Sequence, residues 1–101
     1  MRQNGQSVPV AIGRDGRRSE RRTQLGASFE EPHIEAALDA LDLMDLAWHD
    51  CYGEVAPPAR VLEDVLLLAE GDLSALVRQA RLAVIDSRDV RVAADAKRAR
   101  A

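Results

Sequence analysis

Apolar residues recur every three or four positions throughout residues 31–97, and no stretch of that region alternates apolar and polar residues as a strand does. Prolines and glycines divide the region into three segments. Their spacing and boundaries predict helices over about 32–51, 58–70 and 73–97. Only 3% of the residues are aromatic, which also argues against an all-β fold. The sequence therefore predicts an all-α protein in which residues 28–101 form a small three-helix bundle.

The N-terminal segment differs in charge from the rest of the chain. Residues 1–24 contain six arginines and two acidic residues, a net charge of +4, whereas residues 25–101 contain eight basic and fifteen acidic residues, a net charge of −7. The segment is also rich in glycine and poor in apolar residues. Such a segment buries too little apolar surface to offset the entropy of ordering. We therefore expect residues 1–27 to be a flexible, disordered basic arm.

Several large apolar residues fall on the side of their helix opposite the predicted core face. A bundle of about seventy residues has one core and cannot cover both sides of every helix. Each large aliphatic side chain left in water forgoes about 1.5–3 kcal/mol. We therefore predict an interaction surface that forms a homodimer or docks on a larger protein partner. Its residues are Leu43, Leu46, Leu67, Leu82 and Ile85.

Asp42, Asp45 and His49 share one face of the first predicted helix. They are weak candidates for a divalent metal site or an acid–base pair, because the paired Glu-x-x-His pattern of di-iron bundles is absent. Asp45 also falls within the apolar arc, where an unpaired carboxylate would be costly. In the alternative, which we favour, Asp45 accepts a hydrogen bond from His49 or from an arginine such as Arg81 or Arg88. We expect no catalytic residue, no metal and no cofactor.

A second class of function is binding of nucleic acid through the N-terminal arginines. Arg14, Arg17, Arg18, Arg21 and Arg22 would contact phosphates, and the affinity would fall steeply with salt. The second and third predicted helices resemble a helix-turn-helix only in outline, because the second is acidic and phosphate would repel it. A nucleic-acid accessory or regulatory protein is therefore the alternative to a protein-interaction module.

The chain also carries signals about its location. Its longest apolar runs have four or five residues, too few to span a bilayer, so we expect no membrane association. Its start lacks the sustained apolar segment of a secretory signal. A single cysteine, Cys51, excludes an internal disulfide. We expect a cytoplasmic, non-catalytic helical module for protein–protein interaction or dimerisation.

Overall fold

The computed structural model describes the backbone of residues 8–101 and the side chains from residue 16 onward. This part of the chain forms five helices and no strand, which confirms the all-α class and corrects the predicted count of three. The helices are α1 (Val8–Gly26), α2 (Glu31–Tyr52), α3 (Ala59–Ala69), α4 (Leu73–Ile85) and α5 (Ser87–Arg100).

The local sequence sets both ends of α2 and the start of α4. Proline in the first turn of α2 costs no hydrogen bond, and Gly53 ends the helix in the left-handed conformation with its N–H donating to the His49 carbonyl. Asp72 caps α4, as its position predicts, by accepting a hydrogen bond from the Ala75 N–H at 2.8 Å. The predicted bounds of the first two helices are therefore correct to within one residue.

The predicted third helix, 73–97, is two helices. Asp86 leaves the helical conformation (φ −155°, ψ 88°), and its carboxylate accepts hydrogen bonds from the N–H groups of Arg88 and Asp89. An aspartate side chain that satisfies the free N–H groups of a following turn favours a helix start over continued helix. The break lets α5 turn away from α4 and pack against α3 as well.

The described part of the predicted arm is a helix. The prediction of a flexible segment over residues 1–27 is corrected for α1, which packs on α2 and buries both Arg21 and Leu25. Residues 1–7 lie outside the described residues. Composition pointed to disorder because α1 holds few apolar side chains, but the helix is stabilised by ion pairs with α2 in addition to apolar burial.

The helices pack around α4, which contacts α2, α3 and α5, while α1 contacts α2. The core between them is almost entirely aliphatic. Phe29, in the turn between α1 and α2, extends it toward α1. The largest fully buried apolar residues are Leu25, Leu38, Leu41, Leu76, Val65 and Val90. Within residues 8–101, no helix combines the length and the apolar content needed to cross a bilayer.

One charged side chain lies deep in the α3–α5 contact. Asp64 on α3 is 1% exposed and accepts a hydrogen bond from Arg98 of α5 at 2.7 Å. Its other carboxylate oxygen lies 3.6 Å from Nη1 of Arg91. The hydrogen bond from Arg98 to Asp64 raises the pKa of Arg98. A buried aspartate therefore holds the outer helix α5 onto α3.

Gly71 and Gly53 give a matched test of how the α3–α4 turn packs. Both have φ +74°, which is strained for any residue with a side chain. A Cβ on Gly53 would meet nothing within 4 Å, whereas one on Gly71 would lie 2.2 Å from the Ser28 carbonyl oxygen. We expect Gly53→Ala to destabilise the fold by about 1–2 kcal/mol. Gly71→Ala should cost roughly 1–3 kcal/mol more, because backbone must move.

Urea unfolding of both variants checks this prediction. Equal losses in the two variants would show that the α3–α4 turn does not rest against the turn that precedes α2.

Candidate interaction surface

Four arginines of α1 face the acidic side of α2. The connection between the helices spans only residues 27–30, so the two form an antiparallel hairpin. Arginines at 17, 18, 21 and 22 fall on one side of α1 because residues three and four apart are neighbours on a helix. The acids at 35, 39, 42 and 45 repeat with the same spacing on α2. The two rows meet along the hairpin.

Arg21 and Asp45 form the buried centre of this contact. The two guanidinium nitrogens of Arg21 donate to the two carboxylate oxygens of Asp45 at 2.6 and 3.0 Å. The side chains are only 6% and 8% exposed. Arg17 adds a further positive charge, with its Nε 3.6 Å from Asp45. This bidentate geometry gives a hydrogen bond to each oxygen of a carboxylate that would otherwise be buried without a partner.

Exposed ion pairs surround that centre. Arg18 bonds to Glu35, Asp39 and Asp42, and Arg22 bonds to Glu35. The hydrogen bond to Asp39 raises the pKa of Arg18. The hydrogen bond from Arg22 lowers the pKa of Glu35 below its ordinary value of 4.5. These pairs are accessible to water, so salt weakens them more than it weakens the Arg21–Asp45 pair.

The expectation that Asp45 would pair with His49, Arg81 or Arg88 is therefore wrong. Its partner is Arg21, on a segment that the composition had marked as disordered. The only sequence signal for this pairing is the matching three- and four-residue spacing of arginines on α1 and acids on α2.

The three metal candidates, Asp42, Asp45 and His49, line one cavity of about 210 Å³ together with Arg17, but they are not arranged as metal ligands. The carboxylate of Asp42 is bound by Arg18 and that of Asp45 by Arg21, while His49 is exposed. Among the residues whose positions are described, no group of three or more His, Cys, Asp or Glu side chains is arranged to hold a metal ion. At this face of α2, the carboxylates of Asp42 and Asp45 form ion pairs with arginines of α1.

The predicted apolar surface divides into separate regions. Leu43 and Ile85 are 67% and 62% exposed and lie together at a groove between α2 and α4. Leu46 is equally exposed but lies beside His49 and Val55, outside that groove. Leu82 is half-buried against the core, and Leu67 is half-buried on α3. Two of the five predicted residues therefore form the groove.

The groove between α2 and α4 has a volume of about 370 Å³. Val77 is 50% exposed within it. Val84 also lines the groove but is partly buried against the core. Among the described side chains that line the groove, one is charged, that of Arg81. The wall is formed by Ala40, Leu43, Met44, Ala47, Val77, Ala80, Arg81, Val84 and Ile85.

Comparison of the chain with models of known protein families, with curated proteins and with solved structures found no match.

The Arg21–Asp45 pair can be tested by removing one charge without changing shape. Asp45→Asn leaves the buried Arg21 guanidinium without a countercharge, and we expect a loss of about 3–5 kcal/mol of unfolding free energy. Asp50→Asn makes the same change at an exposed position of α2, and should shift stability by less than about 0.5 kcal/mol. Equal, small effects in urea unfolding would contradict a buried pair.

Glu35 should make the attachment of α1 depend on pH. Because its pKa is lowered in the folded chain, its contribution to stability is fully present above 4.5 and is lost as the pH falls through the lower folded value. We therefore expect wild type to exceed Glu35→Gln in stability at neutral pH, with the difference vanishing in acid. Glu63→Gln, an exposed change on α3, serves as the control. A difference that persists unchanged in acid would contradict the assignment.

Proposed function

We propose that this chain is a non-catalytic protein–protein interaction module, and that the α2–α4 groove receives an apolar helical face of a protein partner. The observation that carries the proposal is the continuous apolar wall of the groove, with Leu43, Val77 and Ile85 each at least half exposed. Covering such side chains favours association, since each contributes about 1.5–3 kcal/mol when fully buried.

The shape of the groove supports a helical partner. Two neighbouring helices present side-chain ridges with a valley between them, and the helices of a partner pack against such ridges and grooves. Alanines at positions 40 and 47 keep the α2 wall low, while Leu43 and Ile85 stand beside them. An amphipathic helix placed there would present apolar residues at three- and four-residue spacing, the usual pattern of helix-in-groove recognition.

The alternative function, binding of nucleic acid by the N-terminal arginines, has less support. Arg17, Arg18, Arg21 and Arg22 all pair with carboxylates of α2. Phosphate would have to displace those carboxylates, and the acidic helix would repel it. The side chain of Arg14 lies outside the described part of the chain. We therefore do not propose this function.

A cytoplasmic site of action remains part of our proposal, supported by the free, exposed thiol of Cys51.

Photo-crosslinking tests the groove directly. A benzophenone amino acid at position 43 should give adducts with a protein in the host cell, whereas the same group at position 92 should not. Val92 is the matched control because it is 69% exposed on α5 and lies outside the groove. The mass of the adduct distinguishes a second copy of the chain from another protein. Absence of adducts at position 43, or equal adducts at both positions, would contradict the proposal.

A further inference from the structure

We infer that the occupant of the α2–α4 groove is the same groove of a second copy of the chain, in a two-fold dimer whose facing helices run in the same direction. This inference rests on the proposed function and adds the identity and orientation of the partner. It is carried by the direction of the two helices and by the charges on either side of the groove.

The helices α2 and α4 run parallel within one chain. Gly71, just before α4, lies against Ser28, just before α2, so both helices begin at the same end. At the other end, the hydroxyl of Tyr52 on α2 donates to the Val84 carbonyl of α4 at 2.5 Å. The groove therefore has two walls with a common direction.

The two walls carry opposite charge. Helix α2 has six acidic residues and no lysine or arginine, whereas α4 has two arginines, Arg78 and Arg81, and no acidic residue. Asp39 and Asp50 are exposed on α2 next to the groove residues Ala40 and Ala47. Although Asp39 bonds to Arg18, its side chain remains 72% exposed and can accept a second partner.

Two-fold symmetry allows two face-to-face arrangements of such a pair of helices. When the axis runs along the helices, α2 of each copy faces α4 of the other, and acidic walls meet basic walls. When the axis runs across the helices, α2 faces α2 and α4 faces α4, so like charges meet. Like-charge contacts across an interface are costly, and opposite charges set orientation. The charges therefore favour the axis along the helices.

The register of this arrangement follows from the groove. Residues 40–47 of α2 lie opposite residues 77–85 of α4. Asp39 directly precedes the first range, and Arg78 lies at the start of the second, so the two residues occupy the same end. A two-fold axis along the helices introduces no shift along them. Asp39 of each copy therefore faces Arg78 of the other, and Leu43 faces the apolar row formed by Val77 and Ile85.

Charge reversal at this pair tests the inference. Analytical ultracentrifugation of the full chain should show a concentration-dependent dimer. Asp39→Arg and Arg78→Asp should each raise the dissociation constant at least about tenfold, since the dimer contains the pair twice. The double variant Asp39→Arg/Arg78→Asp should restore it. Arg60→Asp, the same charge change at an exposed position of α3, should leave it unchanged, and circular dichroism should show every variant helical.

Each other outcome overturns the inference. Wild type that stays monomeric up to about 1 mM excludes self-association of useful strength. A dimer unaffected by the single reversals, or not restored by the double one, excludes this register and orientation. The proposed function fails separately: it fails only if position 43 gives no specific protein adduct. A monomer that crosslinks to another protein through position 43 would refute the second copy and retain the groove.

Discussion

Asp45 and Arg21 meet through two hydrogen bonds in a place nearly free of water, and the position of α1 depends on them. A carboxylate within the apolar side of α2 is tolerated only with a countercharge, and α1 supplies it. Asp64 and Arg98 have a similar relation at the other side of the molecule, where they join α3 to α5. Two buried aspartates thus fasten the two outer helices, whose own apolar content is low, to a core made largely by α2, α3 and α4.

This attachment decides which surface remains for a partner. The acidic side of α2 is occupied by the arginines of α1, and its core side by α4 and the buried leucines. What α2 still exposes is the strip that contains Leu43, next to the uncovered side of α4. Because the arginines of α1 pair with carboxylates of α2, they are not available to bind phosphate. The apolar groove between α2 and α4 stays uncovered. The proposed interaction with a protein follows from that division.

Much of the fold could be predicted from the sequence, because the signals are local. Pro32, Gly53 and Asp72 mark helix ends through backbone chemistry that acts within one turn. The break at Asp86 was also encoded locally, by an aspartate whose side chain caps the following turn, but the apolar spacing over residues 73–97 predicted a continuous helix. The helix α1 was missed for a different reason. Its hydrophobicity is low, and its ion-pair partners lie 13 to 28 residues away along the chain.

The candidate site was predictable only in part. Leu43 and Ile85 could be recognised because each falls opposite the core side of its own helix. Val77 could not, since its exposure depends on where α4 sits between α2, α3 and α5. The partner of Asp45 likewise depends on how another helix packs. The sequence predicted correctly that this buried carboxylate needs a partner, but the predicted partners were wrong.

Amide hydrogen exchange of the isolated protein at neutral pH tests the central claim most directly. If Arg21 and Asp45 hold α1 on α2, the amides from Arg17 to Leu25 exchange far more slowly than those of an unstructured peptide, and Asp45→Asn abolishes that protection while leaving α3 and α4 protected. Exchange of these amides at the rate of an unstructured peptide in the wild-type protein would contradict the account, because the arginines would then be free.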